Sequence, residues 1–101
     1  MANAFKNYTS TSVTTETTVL TGPASTETTV IGLSIANTGA SVATVDVKLN
    51  TAYVVKNAPV PVGGSLVVVG GDQKLVVEAA DTIKVTSDVT VDAIVSTLEI
   101  S

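Results

Sequence analysis

The chain predicts an all-β fold: a single antiparallel β-sandwich of about seven to nine short strands, Ig-like or jelly-roll-like, with an extended N-terminal arm. Three observations lead there. The 101 residues include 19 Val, 17 Thr and 5 Ile, so about two in five are β-branched, and such side chains lose χ1 freedom in helices but pack well on a pleated sheet. Several stretches alternate apolar and polar residues with a period of two, the mark of a strand with one face in a core. Turn-forming clusters then interrupt these stretches at intervals of about 8–12 residues. At this length one domain with one core is expected.

Residues 1–12 are polar and rich in Ser, Thr and Asn, with Ala4, Phe5 and Tyr8 as their main apolar content. They read as an arm holding at most one short strand, and residues 13–101 as the sandwich. Two of the three aromatics lie in this arm. Exposed rings gain by docking, on the chain's own sandwich or on a neighbouring subunit, so Phe5 and Tyr8 are the candidate interface residues.

Val13–Leu20 reads as a strand, broken by the turn signal Gly22-Pro23. Thr28–Ala36 follows, with Thr29, Ile31, Leu33 and Ile35 on one face and Thr28, Val30, Gly32 and Ser34 on the other. After the turn at Asn37–Ser41, Val45, Val47 and Leu49 alternate against Thr44, Asp46 and Lys48. Ala52–Asn57 is another strand. Pro59 and Pro61 cannot donate to a ladder and mark a strand end or a sheet edge.

Gly63-Gly64 is a second corner. Leu66–Val69 and Leu75–Val77 flank Gly70-Gly71-Asp72-Gln73, and because glycine reaches φ > 0 freely this stretch reads as a hairpin. Glu78–Asp81 is a polar corner, and Ile83 and Val85 alternate within Asp81–Thr86. In the last strand, Val89–Ile100, the apolar parity changes between Ala93 and Ile94, which predicts a β-bulge or bend there.

Chemistry has little to work with. The chain has no Cys, His, Trp or Arg and a formal charge of -4. Imidazole–nucleophile pairs and thiolate or imidazole metal sites are therefore excluded, and no catalytic residue, metal or cofactor is expected. Five lysines against nine carboxylates disfavour nucleic acid, since few cations release few counterions. No apolar run reaches membrane-spanning length, and residues 1–3 lack the features of a secretory signal. The expected product is soluble and made in a cytoplasm.

Asp88 and Asp92, Glu16 and Glu27 are carboxylates whose spacing fits no Ca²⁺ loop, and they read as solvated surface charge. Gly63-Gly64 and Gly70-Gly71 lack the Lys and following helix of a phosphate loop. Lys48, Lys56, Asn50 and Asn57 are the residues that an isopeptide crosslink would draw on. Faces of Thr and Val, without an aromatic platform for sugars, suit packing against other protein.

Val30–Thr38 (VIGLSIANT), Tyr53–Pro61 (YVVKNAPVP) and above all Leu66–Lys74 (LVVVGGDQK), together with Asp81–Val85 and Val95–Ile100, resemble small structural proteins of tailed-bacteriophage virions, notably those of cyanophages and other marine phages. The resemblance implies a non-enzymatic virion component with a compact β-sandwich, made in the host bacterial cytoplasm. The expected role is head decoration, a cement protein that stabilises the shell. Its expected partners are other virion proteins, the major capsid protein first, and further copies of itself in a symmetric oligomer such as a trimer. The alternative is a tail, neck or fibre module that recognises a host glycan or surface protein.

Overall fold

The computed structural model describes residues 3–70 and 74–100. Among them are nine strands: β1 Asn3–Val13, β2 Thr17–Thr21, β3 Glu27–Asn37, β4 Ala43–Leu49, β5 Ala52–Val60, β6 Ser65–Val69, β7 Leu75–Val77, β8 Thr82–Ser87 and β9 Val91–Ile100. No helix forms in this part of the chain, as the density of β-branched residues requires.

Two antiparallel sheets face each other. Sheet A has the order β1-β9-β3-β6, with β7 also paired to β3, and sheet B the order β2-β8-β4-β5. Both β6 and β7 run antiparallel to β3, β6 beside Leu33–Ala36 and β7 beside Thr28–Val30. They are thus two consecutive segments of one edge position, and each sheet has four positions. The resulting order, with β1 and β2 beside β9 and β8, and β3 and β4 beside β6/β7 and β5, is that of a jelly roll.

Valine and isoleucine fill the space between the sheets. Val30, Leu33, Ile35, Val91 and Val95 of sheet A meet Val45, Val47, Val60, Ile83 and Val85 of sheet B, all essentially inaccessible. At one end, Gly22 packs so closely on the β7–β8 corner that an added Cβ would lie 2.1 Å from the Glu78 carbonyl oxygen. Backbone bonds from Gly22 N–H to Asp81 O and from Ala80 N–H to Gly22 O hold that corner.

Four expectations change. The apolar runs at Leu66–Val69 and Leu75–Val77 are not a hairpin, because each finds its partner in β3 rather than in the other. The Gly71–Gln73 part of the expected tip lies outside the described residues. The strand expected over Val13–Leu20 is two: Val13 ends β1 in sheet A, and after the break at residues 14–16 β2 begins in sheet B.

The bulge expected at Ala93-Ile94 is absent. Strand β9 keeps one parity to its end, so Thr97 and Glu99 stay on the inner face and Ile94 points outward. The register irregularity falls on β3 instead, between Val30 and Gly32. It leaves Ile31 exposed and moves Thr28 and Val30, rather than Thr29 and Ile31, to the core side. Alternation alone cannot distinguish an apolar residue on the outer face from one on the inner face.

Pro59 lies in β5, the edge of sheet B, where a missing N–H faces no ladder partner. The arm expected over residues 1–12 is largely strand β1, which docks on its own sandwich and pairs with β9 from Asn3 to Val13.

Candidate interaction surface

Phe5 and Tyr8 stand three residues apart on β1, so the two-residue period sends them to opposite faces. Phe5 pairs with Leu98 on the outer face of sheet A and is 76% exposed. Tyr8 pairs with Val95 on the inner side and packs against the core. Its hydroxyl donates to Glu99 Oε2, and Thr97 Oγ1 donates to the same oxygen at 3.2 Å. Lys6 Nζ reaches Glu99 Oε1 at 3.7 Å. Glu99 is only 5% exposed, and these donors offset the cost of burying it. The bond to Glu99, then burial, then the charge of Glu99 push the Tyr8 hydroxyl from its ordinary value of 10 up to about 12.

The carboxylates singled out in the sequence are spread around the molecule. Asp88, between β8 and β9, accepts at Oδ1 from Thr44 N–H of β4, and Asp92 Oδ1 of β9 accepts from Ser12 N–H at the irregularity of β1. Asp46 Oδ1 accepts from Asn57 N–H, and Asp81 accepts from Asn50 Nδ2 and Glu78 N–H. Ser12, Asn50 and Asn57 all have positive φ, so these aspartates hold non-glycine residues in the left-handed region at bulges and turns. Among the described residues no three carboxylates gather as a metal site. Glu27 and Glu78 line an open groove with Thr29 and Val76.

Three of the four residues named for a crosslink, Lys48, Lys56 and Asn50, have their side chains engaged elsewhere. Lys48 Nζ pairs with Glu16 at 3.2 Å, and the Asn50 side chain is bonded to Asp81 and Thr82. Lys48 and Lys56 lie 5.3 Å and 4.8 Å from the centre of the Tyr53 ring. Lys84, opposite Lys48 in the ladder, also reaches Glu16 at 3.9 Å. Glu16 holds the Lys48 proton more tightly and raises its pKa. The outer face of sheet B is therefore a lysine row around one tyrosine. Sequence reading missed it because Lys48, Lys56 and Lys84 come together only through the β5-β4-β8 register.

The outer face of sheet A is the opposite in character. Register places Phe5, Leu98, Thr29 and Val76 in one row across the strands, and Thr9, Ile94, Ser34 and Val67 in another. Asn7, Ser96 and Gly32 lie between the two rows. Phe5, Val67 (66%), Val76 (63%) and Ile94 (48%) are exposed, as is Ile31 at the bulge. The paired positions of these rows carry no charge. Glu27 and Asp92 stand in the rows beyond, at opposite ends, and Lys74 precedes β7 at the margin.

Across these rows apolar side chains alternate with small polar ones, so the face is uncharged and mixed in character. Asn37 is a second residue that sequence reading left as a turn marker. It is buried, donates to Ser41 O and Val60 O, and accepts from Gly39 N–H. It organises the fold rather than the surface.

No known protein family matches the chain, and neither curated proteins nor solved structures provide a match.

Proposed function

We propose that this protein is a non-enzymatic structural component of a bacteriophage particle, a decoration or cement protein that stabilises the head by protein–protein contact. The observation that carries the reading is the uncharged outer face of sheet A, where Phe5, Val67, Val76 and Ile94 stand exposed among small polar side chains. Burying such a face releases ordered water and lowers the free energy of an assembly without any reacting group. Asp46, Asp88 and Asp92 accept from backbone N–H groups and Glu16 pairs with Lys48, so these carboxylates hold structure together. Jelly rolls serve in capsids and in lectins alike, and the fold by itself does not choose between them. The phage setting comes from the sequence resemblance centred on Leu66–Lys74.

The test is to add the purified protein to heads that lack it. Saturable binding, with a rise in the temperature at which the heads release DNA, is the expected result. No binding and no shift would refute the cement role.

A further inference from the structure

We infer that the free edge of β1 is where a second copy of this chain joins, strand β1 against strand β1 about a two-fold axis, so that one sheet runs through both molecules. The first argument is which edges are closed. A free strand edge offers unpaired N–H and C=O groups to any other strand, and proteins blunt such edges with bulges, prolines or short strands. Strand β2 is five residues long and its register slips between Thr18 and Leu20. Strand β5 slips twice against β4 and carries Pro59. The β6/β7 edge is divided into two short pieces. Among the described edges β1 alone stays regular over eight residues, Asn3–Ser10 pairing with β9 without a slip. Its one charge, Lys6, turns to Glu99 at 3.7 Å.

The second argument is which backbone groups point outward. Asn37 pairs with Val91, and next to them Thr38 N–H donates to Thr90 O, while Asn37 N–H turns the other way, to Gly64 O. Residue 90 therefore faces β3, and by alternation Ala93, Val95, Thr97 and Glu99 of β9 face β1. Their partners Ser10, Tyr8, Lys6 and Ala4 spend their backbone groups on β9. Asn3, Phe5, Asn7 and Thr9 aim theirs at the open edge, and all four residues are exposed.

The third argument selects the occupant. Lys6 is the one charged residue of β1 and β2, the strands of this flank, although the chain holds nine carboxylates and five lysines. Glu16, in the connection between them, is paired with Lys48. Two copies of net charge -4 thus meet here without setting carboxylates on these strands against each other. An antiparallel pairing centred on Asn7 sets Phe5 beside Thr9 of the other copy and Lys6 beside its Tyr8. Centring it on Lys6 would put two lysines face to face, which is unfavourable. In the Asn7 register ~six backbone bonds from Phe5, Asn7 and Thr9 cross the axis. The pairing is isologous and closes after two copies. Its axis stands perpendicular to sheet A, so the two outer faces lie side by side and neither covers the other. The inference therefore does not depend on the cement role.

The chain has no cysteine, so disulfide trapping reads the register. Residues paired this way have Cα atoms ~5.5 Å apart, within disulfide reach, whereas the two Thr9 residues lie ~14 Å apart along the strands. Under mild oxidation of the full chain at roughly 100 μM, Asn7→Cys should form a covalent dimer at least ~tenfold faster than Thr9→Cys or Lys56→Cys on the β5 edge. All three positions are exposed. In sedimentation velocity the wild type should enter a dimer by roughly 100 μM, the regime of a narrow contact. Asn7→Pro should weaken that dimer at least ~tenfold, because it removes an N–H from the axis. The lost N–H points to the open edge, so the β1–β9 ladder and the circular dichroism spectrum should be kept. If Asn7→Pro does not fold, the cysteine comparison decides alone. A wild type that stays monomeric, equal crosslinking rates in the three cysteine variants, or a folded Asn7→Pro protein that dimerises as well as the wild type each overturns the inference.

Discussion

Asp46 reaches across the β4–β5 hairpin to Asn57: its Oδ1 accepts the Asn57 backbone N–H at 2.7 Å, where Asn57 has φ +54°. The ladder register slips at this point, so the carboxylate replaces a lost backbone partner at the bulge. Asp46→Ala should destabilise the fold by about 0.5–1 kcal/mol, the net worth of an exposed hydrogen bond whose freed N–H water can take up. Asn57→Gly should be near neutral or slightly stabilising, since glycine enters the left-handed region freely. Urea unfolding midpoints of the two variants check both signs.

Thr28 offers a test in the opposite direction. Among the described residues its Oγ1 is a buried side-chain oxygen without a hydrogen-bond partner, and the residue is fully inaccessible. Thr28→Val removes the stranded hydroxyl and keeps the shape. It should raise stability by about 1 kcal/mol, read as a higher melting temperature.

Asn37 supplies two donors and one acceptor to buried or half-buried backbone at the end of β3. Asn37→Ala should cost about 2–3 kcal/mol, because Val60 O and Gly39 N–H lose their partner together. Amide exchange should quicken in the 38–42 loop more than in the middle of β9.

Tyr8 gives the fold an alkaline limit. Its hydroxyl stays protonated to about pH 12 in the folded chain, against an ordinary pKa of 10. Below pH 10 both states hold the proton and the contribution is complete. As pH rises from 10 to 12 the unfolded chain releases the proton first, so stability falls over that window. In a Tyr53→Phe background the absorbance near 295 nm should titrate near 12, and Tyr8→Phe should flatten the dependence of stability on pH across it.

Strand existence was legible because Val45, Val47, Ile83 and Val85 alternate cleanly with polar residues. Pairing was not. Nothing in LVVVGGDQKLVV says that both of its apolar runs lie on β3 rather than on each other, since that depends on the length of β3. Ile31 and Ile94 mislead for one reason: both are apolar and face outward, so a period that assumes apolar means buried places the bulge on the wrong strand. The surface was half legible. Phe5 stands out in the composition and is exposed, whereas Tyr8 faces inward to Glu99, as its odd spacing from Phe5 already implies. The uncharged face itself is assembled from β1, β9, β3 and the β6/β7 edge, and no one stretch of sequence displays it.

Counting the protein on purified particles tests the central claim most directly, by quantitative mass spectrometry against the major shell subunit. A decoration role predicts many copies, in a fixed ratio to shell subunits, lost when Phe5 and Ile94 are both replaced by lysine. A handful of copies per particle, or none, would contradict it.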